Sequence, residues 1–211
     1  MQTKQIIIEQ LEKIRVLPIL VSDDVEQAIL CVNTLAEHGL SVVEITLRSA
    51  NAVTVLREVV KACPHVLVGA GTIISPAQLD TVRNSGAAFG ISPGITTVMA
   101  KAAADLGLPY FPGIATASEL MLALEHGFDV VKLFPADVVG GLKMAKALGG
   151  PFPQVRFCLT GGVTQESMPS MLQQSNILCV GGSWMCPAAS IASKEVVTIA
   201  HLAKLAAHMG A

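Results

Sequence analysis

The sequence predicts an α/β protein of the (β/α)8 TIM-barrel type with a short leading helix, on three observations. Short β-like runs alternate with helical stretches along nearly the whole 211-residue chain. Eight such runs can be marked out, which is the number a barrel needs. The turn after the first run, Ser22-Asp23-Asp24, contains no glycine, whereas an open doubly wound sheet tends to carry its glycine-rich turn there.

The elements follow in order. A helix over Lys4–Ile14 leads into strands predicted at Val16–Val21, Val42–Leu47, Leu67–Thr72, Ala88–Ser92, Tyr110–Gly113, Val130–Phe134, Arg156–Thr160 and Ile177–Gly181. Most are near-continuous apolar runs, as parallel strands covered on both faces should be. Amphipathic helices are expected between them, among others at Asp24–His38, Ala52–Ala62, Pro76–Ser85 and Thr97–Leu106. Ser22, Ser75 followed by Pro76, and the Ser118-Glu119 pair read as helix starts. Gly39, Gly86, Gly107 and Gly127 each stand just before a strand and read as helix ends. No linker, low-complexity segment or charge block divides the sequence, so one domain over residues 1–211 is expected.

Composition removes several classes of function. Fourteen Lys and Arg face sixteen Asp and Glu, a net charge of −2, which lacks the basic footprint of a nucleic-acid binder. Five cysteines with no C-x-x-C pair fit reduced, mostly buried thiols better than a disulfide frame or a zinc site. His38, His65, His126, His201 and His208 have no ligand spacing, so neither a metal nor another cofactor is expected. No signal peptide or membrane-length apolar run is visible, and a cytoplasmic protein without membrane partners is expected.

The informative residues are those that interrupt the apolar strands. In Val43-Glu44-Ile45-Thr46-Leu47-Arg48, alternation puts Glu44, Thr46 and Arg48 on one face and the apolar residues on the other. The polar face then looks into the barrel, with Arg48 at the C-terminal mouth where barrel active sites lie. The sixth strand places a single lysine, Lys132, between Val131 and Leu133, on the same face as Val130 and Phe134. Burial disfavours the charged form of a lysine, and the neutral amine is the form that attacks a carbonyl. The alternative is a structural ion pair between Glu44 and Lys132. Such a pair adds little net stability over apolar packing, which favours the chemical reading.

Thr160-Gly161-Gly162 follows the seventh strand and Gly181-Gly182-Ser183 the eighth. Loops at these two places in barrels frequently bind phosphate through backbone N–H groups. Thr72 at the end of the third strand could present a hydroxyl at the mouth or simply shape a turn. Ser92-Pro93-Gly94 and Phe111-Pro112-Gly113 read first as turn geometry and second as wall-forming. Trp184 reads as packing.

These segments together resemble one family. Val43-Glu44-Ile45-Thr46-Leu47-Arg48, Val68-Gly69-Ala70-Gly71-Thr72, Ile91-Ser92-Pro93-Gly94, Phe111-Pro112-Gly113-Ile114, Lys132-Leu133-Phe134-Pro135-Ala136, Arg156-Phe157-Cys158, Thr160-Gly161-Gly162 and Gly181-Gly182-Ser183-Trp184 are similar, in order, to blocks of the 2-keto-3-deoxy-6-phosphogluconate (KDPG) aldolases, also called 4-hydroxy-2-oxoglutarate (KHG) aldolases. The resemblance covers about residues 15 to 190. It implies a trimeric barrel with class I, Schiff-base chemistry in the Entner–Doudoroff pathway, acting on small keto acids and aldehydes. It implies Lys132 as the imine-forming lysine and Glu44 as general acid/base. By the same resemblance, Arg48 and Thr72 hold the pyruvate carboxylate, and Pro93 and Phe134 wall the pyruvoyl pocket. Gly161, Gly162, Gly182 and Ser183, with Thr160 at the edge, fall where the substrate phosphate is expected. The chain departs from the pattern at Leu159, in place of proline, and at Leu133 and Asp137, in place of phenylalanine and glutamate.

Other readings stay open on sequence. They are an aldolase for the galactonate-derived substrate, a metal-dependent pyruvate aldolase, and a sugar-phosphate-binding barrel without catalysis.

Overall fold

Residues 2–210 are described by a computed structural model, in which parallel strands and helices alternate. The order is α1 (Gln2–Ile14), β1 (Val16–Leu20), α2 (Val25–Glu37), β2 (Val42–Thr46), α3 (Ala52–Ala62), β3 (Leu67–Gly71), α4 (Pro76–Asn84), β4 (Phe89–Ile91), α5 (Thr97–Leu106), β5 (Tyr110–Phe111), β6 (Gly113–Ile114), α6 (Ala117–Glu125), β7 (Val130–Leu133), α7 (Gly141–Gly149), β8 (Arg156–Thr160), α8 (Met168–Leu172), β9 (Ile177–Gly182), α9 (Ala188–Ala192) and α10 (Val196–Gly210).

Nine strands stand where eight were expected, because the fifth is broken in two. Pro112 has no N–H to give to a ladder, so Tyr110-Phe111 pairs with β4 and Gly113-Ile114 pairs with β7. The sheet order β5-β4-β3-β2-β1-β9-β8-β7-β6 thus begins and ends on two segments that Pro112 joins covalently. The carbonyl of Pro112 still accepts from Lys132 N–H at 2.9 Å. The sheet therefore closes on itself as an eight-position parallel barrel.

Two apolar layers hold it. The outer layer packs strand residues such as Val43, Ile45, Val131, Leu133, Phe157 and Leu159 against the surrounding helices. The inner layer fills the lower barrel with Leu17, Val42, Phe89, Ile91, Phe111, Val130 and Cys158, and α1 closes that end with Ile7, Ile8, Leu11 and Ile14. Lys132 and Glu44 lie one alternation above Val130 and Val42, so the filled floor lifts them toward the mouth. Between β8 and β9 the register slips at Phe157 and Cys158. The slip brings both Leu178 and Cys179 of β9 into the inner layer, an arrangement that strict alternation would not allow.

Local signals account for most of the helix ends. Ser75 caps α4, accepting from Gln78 N–H with Pro76 in the first turn. Gly39, Gly86, Gly107 and Gly127 all take positive φ just beyond a helix. Two expected starts move. Asp24, not Ser22, caps α2 by accepting from Gln27 N–H, while the Ser22 hydroxyl donates to Asp24 O. Thr116, not Ser118, caps α6, and Glu119 reaches back to accept from Ala115 N–H at 2.7 Å. Ser118 lies inside the first turn, where it cannot act as a cap. Cys31, Cys63, Cys158, Cys179 and Cys186 are buried free thiols. Among the described residues, no helix is long and apolar enough to cross a membrane.

Candidate active site

Strand parity delivers the two charged residues to the barrel interior. Glu44 is fully buried, Lys132 is 3% exposed, and Lys132 Nζ lies 3.8 Å from Glu44 Oε1. That separation is too long for a hydrogen bond and short enough for a strong charge–charge contact. Neither Glu44 oxygen accepts a hydrogen bond from another described residue, and the buried Thr160 hydroxyl is also without a partner. Buried polar atoms are nearly always paired. A buried carboxylate with no hydrogen-bond donor, beside a buried amine, is an arrangement more common at functional sites than in structural cores. The amine also sits 4.9 Å from the centroid of the Phe134 ring, close enough for cation–π attraction when it is protonated.

Beside Lys132, Cys158 is the ladder partner of both Lys132 and Cys179. Hydrogen bonding to Cys158, followed by burial, raises the Cys179 thiol well above its ordinary range.

Above the pair opens a cavity of about 440 Å³, lined by Lys132 together with Arg48, Thr72, Pro93, Phe134, Thr160, Gly161, Gly162, Gly182 and Ser183. Every residue expected at the site except Glu44 lines this one cavity, and Glu44 lies behind Lys132 with no exposed surface. Sequence reasoning missed Ile19, Val21 and Val163, which together with Gly181 of the second glycine pair complete the wall. Parity on the first strand puts Leu17, Ile19 and Val21 on one face and could have identified two of them.

Arg48 and Thr72 meet at the rim, with Arg48 Nε donating to Thr72 Oγ1 at 3.0 Å. Thr72 gets there by an unexpected route. Its strand neighbours Val68 and Ala70 face the outer layer, but Thr72 has φ +61°, and this left-handed turn after Gly71 redirects its side chain to the mouth. Non-glycine residues take such a conformation at a cost of order 1–3 kcal/mol. Opposite, Pro93 is fixed from beneath by Ser92, whose hydroxyl donates to Gly94 O at 2.6 Å and accepts from Tyr110 OH at 2.5 Å. Burial raises the Tyr110 phenol, which keeps it in the protonated form that donates.

Both conformation and space demand glycine in the first Gly-Gly pair, where a Cβ on Gly162 would overlap Asp137, and space alone demands it in the second. Gly161 and Gly162 follow β8 with φ of +90° and +77°, so conformation demands glycine and the loop's N–H groups are free to turn toward an anion. Gly181 and Gly182 end β9 inside the strand, where space is the constraint. A Cβ on Gly181 would stand 2.7 Å from Thr160 Cγ2, and one on Gly182 would stand 2.9 Å from Trp184 Cδ1.

A closed β/α barrel with a buried amine–carboxylate pair, an arginine rim on one side and a glycine rim on the other defines a class. Its charges and its cavity of about 440 Å³ suit a small anionic carbonyl compound. The chain belongs to the KDPG and KHG aldolase family, whose model matches residues 7–202. It is 42% identical over 189 residues to the KHG/KDPG aldolase of Escherichia coli K12, covering 90% of this chain and 89% of that one. Among solved structures it is similar to a KDPG aldolase of Legionella pneumophila carrying pyruvate as a covalent carbinolamine intermediate. The TM-score is 0.91 at 38% identity, over 93% of this chain and 96% of that one. It is likewise similar to the 2-keto-3-deoxy-6-phosphogluconate aldolase of Zymomonas mobilis ZM4 solved with 3-phosphoglycerate. There the TM-score is 0.89 at 39% identity, over 95% and 94% of the two chains.

Proposed function

We propose that this protein is a class I aldolase that cleaves 2-keto-3-deoxy-6-phosphogluconate to pyruvate and glyceraldehyde 3-phosphate, and 4-hydroxy-2-oxoglutarate to pyruvate and glyoxylate. The observation that carries the reading is the buried pair of Lys132 and Glu44, 3.8 Å apart at the bottom of the one cavity that collects the expected site residues.

In this reading the neutral amine of Lys132 attacks the substrate's C2 ketone. The resulting carbinolamine loses water to give a protonated imine, which is the electron sink. Arg48 and Thr72 hold the adjacent carboxylate, and Pro93 and Phe134 hold the pyruvoyl group between them. Glu44, directly or through one water, takes the proton from the C4 hydroxyl. The C3–C4 bond breaks, its electrons enter the imine as an enamine, and the aldehyde leaves. Glu44 then returns the proton to C3, and water hydrolyses the imine to free pyruvate and the amine. Thr160, Gly161, Gly162, Gly182 and Ser183 receive the phosphate, so that binding energy from the remote end serves the reacting one.

Residues 1–211 act in this reading as one catalytic domain. The enzyme works in the cytoplasm as a homotrimer of the Entner–Doudoroff pathway, and sedimentation of the purified protein checks the trimer.

The experiment for the function is pyruvate release from both substrates by the wild type and by Glu44→Gln. Acid–base assistance contributes about 10² to 10⁴ in rate, so the variant should lose at least about 10²-fold in kcat. Absence of pyruvate release by the wild type would refute the assignment, and full turnover by Glu44→Gln would remove Glu44 from the chemistry.

A further inference from the structure

Barrel interiors are normally filled by bulky branched residues, yet β3 offers two inward-facing glycines side by side with the acid. Glu44 pairs with Gly69 and Thr46 pairs with Gly71 across the β2–β3 ladder. Each glycine gives its space to a neighbour. The Phe89 ring occupies the place of a Gly69 side chain, where an added Cβ would overlap it. The place of a Gly71 side chain is taken by Glu44, whose Oε1, Cδ and Cγ would all be overlapped by an added Cβ, the last of them at 2.7 Å. The Glu44 side chain thus leans from its own level on β2 toward Gly71, the residue two positions beyond its ladder partner Gly69. That lean points toward the mouth and Lys132.

Conformation does not explain Gly71, because its φ lies outside the positive range that excludes L side chains. The three nearest atoms to an added methyl all belong to Glu44, so the demand for glycine comes from the acid itself. The Glu44 carboxylate has no hydrogen-bond donor among the described residues to hold it. Besides the charge of Lys132 at 3.8 Å, its position is set by shape, with Gly71 leaving the space that it fills.

From this geometry we propose that Gly71 is a positioning residue for the acid/base, an empty seat that fixes the Glu44 carboxylate within reach of Lys132 and the substrate. The proposal rests on the acid/base reading of Glu44. Gly71→Ala forces the carboxylate off its seat while leaving Lys132 and the pyruvate rim in place.

The test compares wild type, Gly71→Ala, Glu44→Ala, the double variant and Glu44→Gln, by kcat, by borohydride trapping of pyruvate and by Tm. Gly71→Ala should lower kcat by at least about 10²-fold while still being trapped with pyruvate, a split that a merely structural lesion would not produce. Gly71→Ala should also lower Tm in the wild-type background and much less in the Glu44→Ala background, where the three atoms that an added methyl meets first are gone. If Gly71→Ala alone fails to fold, recovery of folding in the double variant supports the seat, and continued failure there overturns it. Wild-type kcat in Gly71→Ala, loss of trapping in step with kcat, or an equal Tm loss in both backgrounds would also overturn the proposal. Full turnover by Glu44→Gln would instead retire the acid/base reading, and the Tm comparison would still decide the steric contact.

Discussion

Glu44 and Lys132 reach each other by the same rule. Each is the polar member of an alternating strand, and each shares its inward face with a residue of the barrel floor, Val42 or Val130. That much was legible, because period-2 alternation needs only the strand's own sequence. Arg48 was legible for the same reason. Thr72 stood on sequence as either a mouth hydroxyl or a turn residue, and only the family resemblance chose the rim, since its parity with Val68 and Ala70 points outward and the turn that brings it back depends on a positive φ. The seat of Glu44 on Gly71 was not legible at all. It depends on which strands are neighbours and in what register, and no single segment contains that information. The residue scale also carries a prediction about Arg48. A hydrogen bond to a charged group contributes about 1.5–3 kcal/mol, so Arg48→Ala should lower kcat/KM about 10- to 100-fold. Steady-state kinetics should place the loss chiefly in KM, and an unchanged KM would take Arg48 out of carboxylate binding.

Elements carry the site to the mouth, and their ends were read less well than their middles. Strand existence follows from long apolar runs, and all eight expected strands have a counterpart in the barrel. The break at Pro112 was foreseeable from the missing N–H, but Phe111-Pro112-Gly113 reads equally well as a simple turn. The displaced caps at Ser22 and Ser118 have one cause: several polar residues compete at each helix start, and tertiary contacts choose among them. The loop before α2 illustrates such a contact. Asp23 accepts from Asn51 N–H at 2.8 Å, tying the β1–α2 loop to the start of α3. This hydrogen bond lowers the Asp23 carboxyl below its ordinary range. A carboxyl lowered by folding adds stability above its unfolded pKa and loses it as pH falls through the folded value. Asp23→Asn should therefore lower Tm at pH 7 and converge with the wild type once acid has protonated Asp23. Melting curves from neutral to acid pH check this, and a gap that widens in acid would contradict it.

On the scale of the whole molecule, the barrel divides into a filled lower half and an open upper half, and α1 is what fills the bottom. Ile7 of α1 is fully buried among the inner-layer residues. Removing most of such a side chain costs about 2–5 kcal/mol. Ile7→Ala should show that loss in denaturant midpoint with an unchanged kcat on the folded enzyme, because the site stands at the opposite end. A fall in kcat larger than the fall in folded fraction would mean that the floor and the chemistry are coupled. The closed fold was legible from the count of alternations; the plug was legible only as a leading helix, because its target is a cluster contributed by most of the strands. All of the proposed chemistry depends on Lys132 supplying the nitrogen that captures the keto acid. The most direct measurement is borohydride reduction in the presence of pyruvate, followed by mass analysis of the proteolysed chain. The expected result is one reduced pyruvoyl adduct, on the peptide containing Lys132, with activity lost in proportion. An unmodified and fully active enzyme, or an adduct on another lysine, would contradict it.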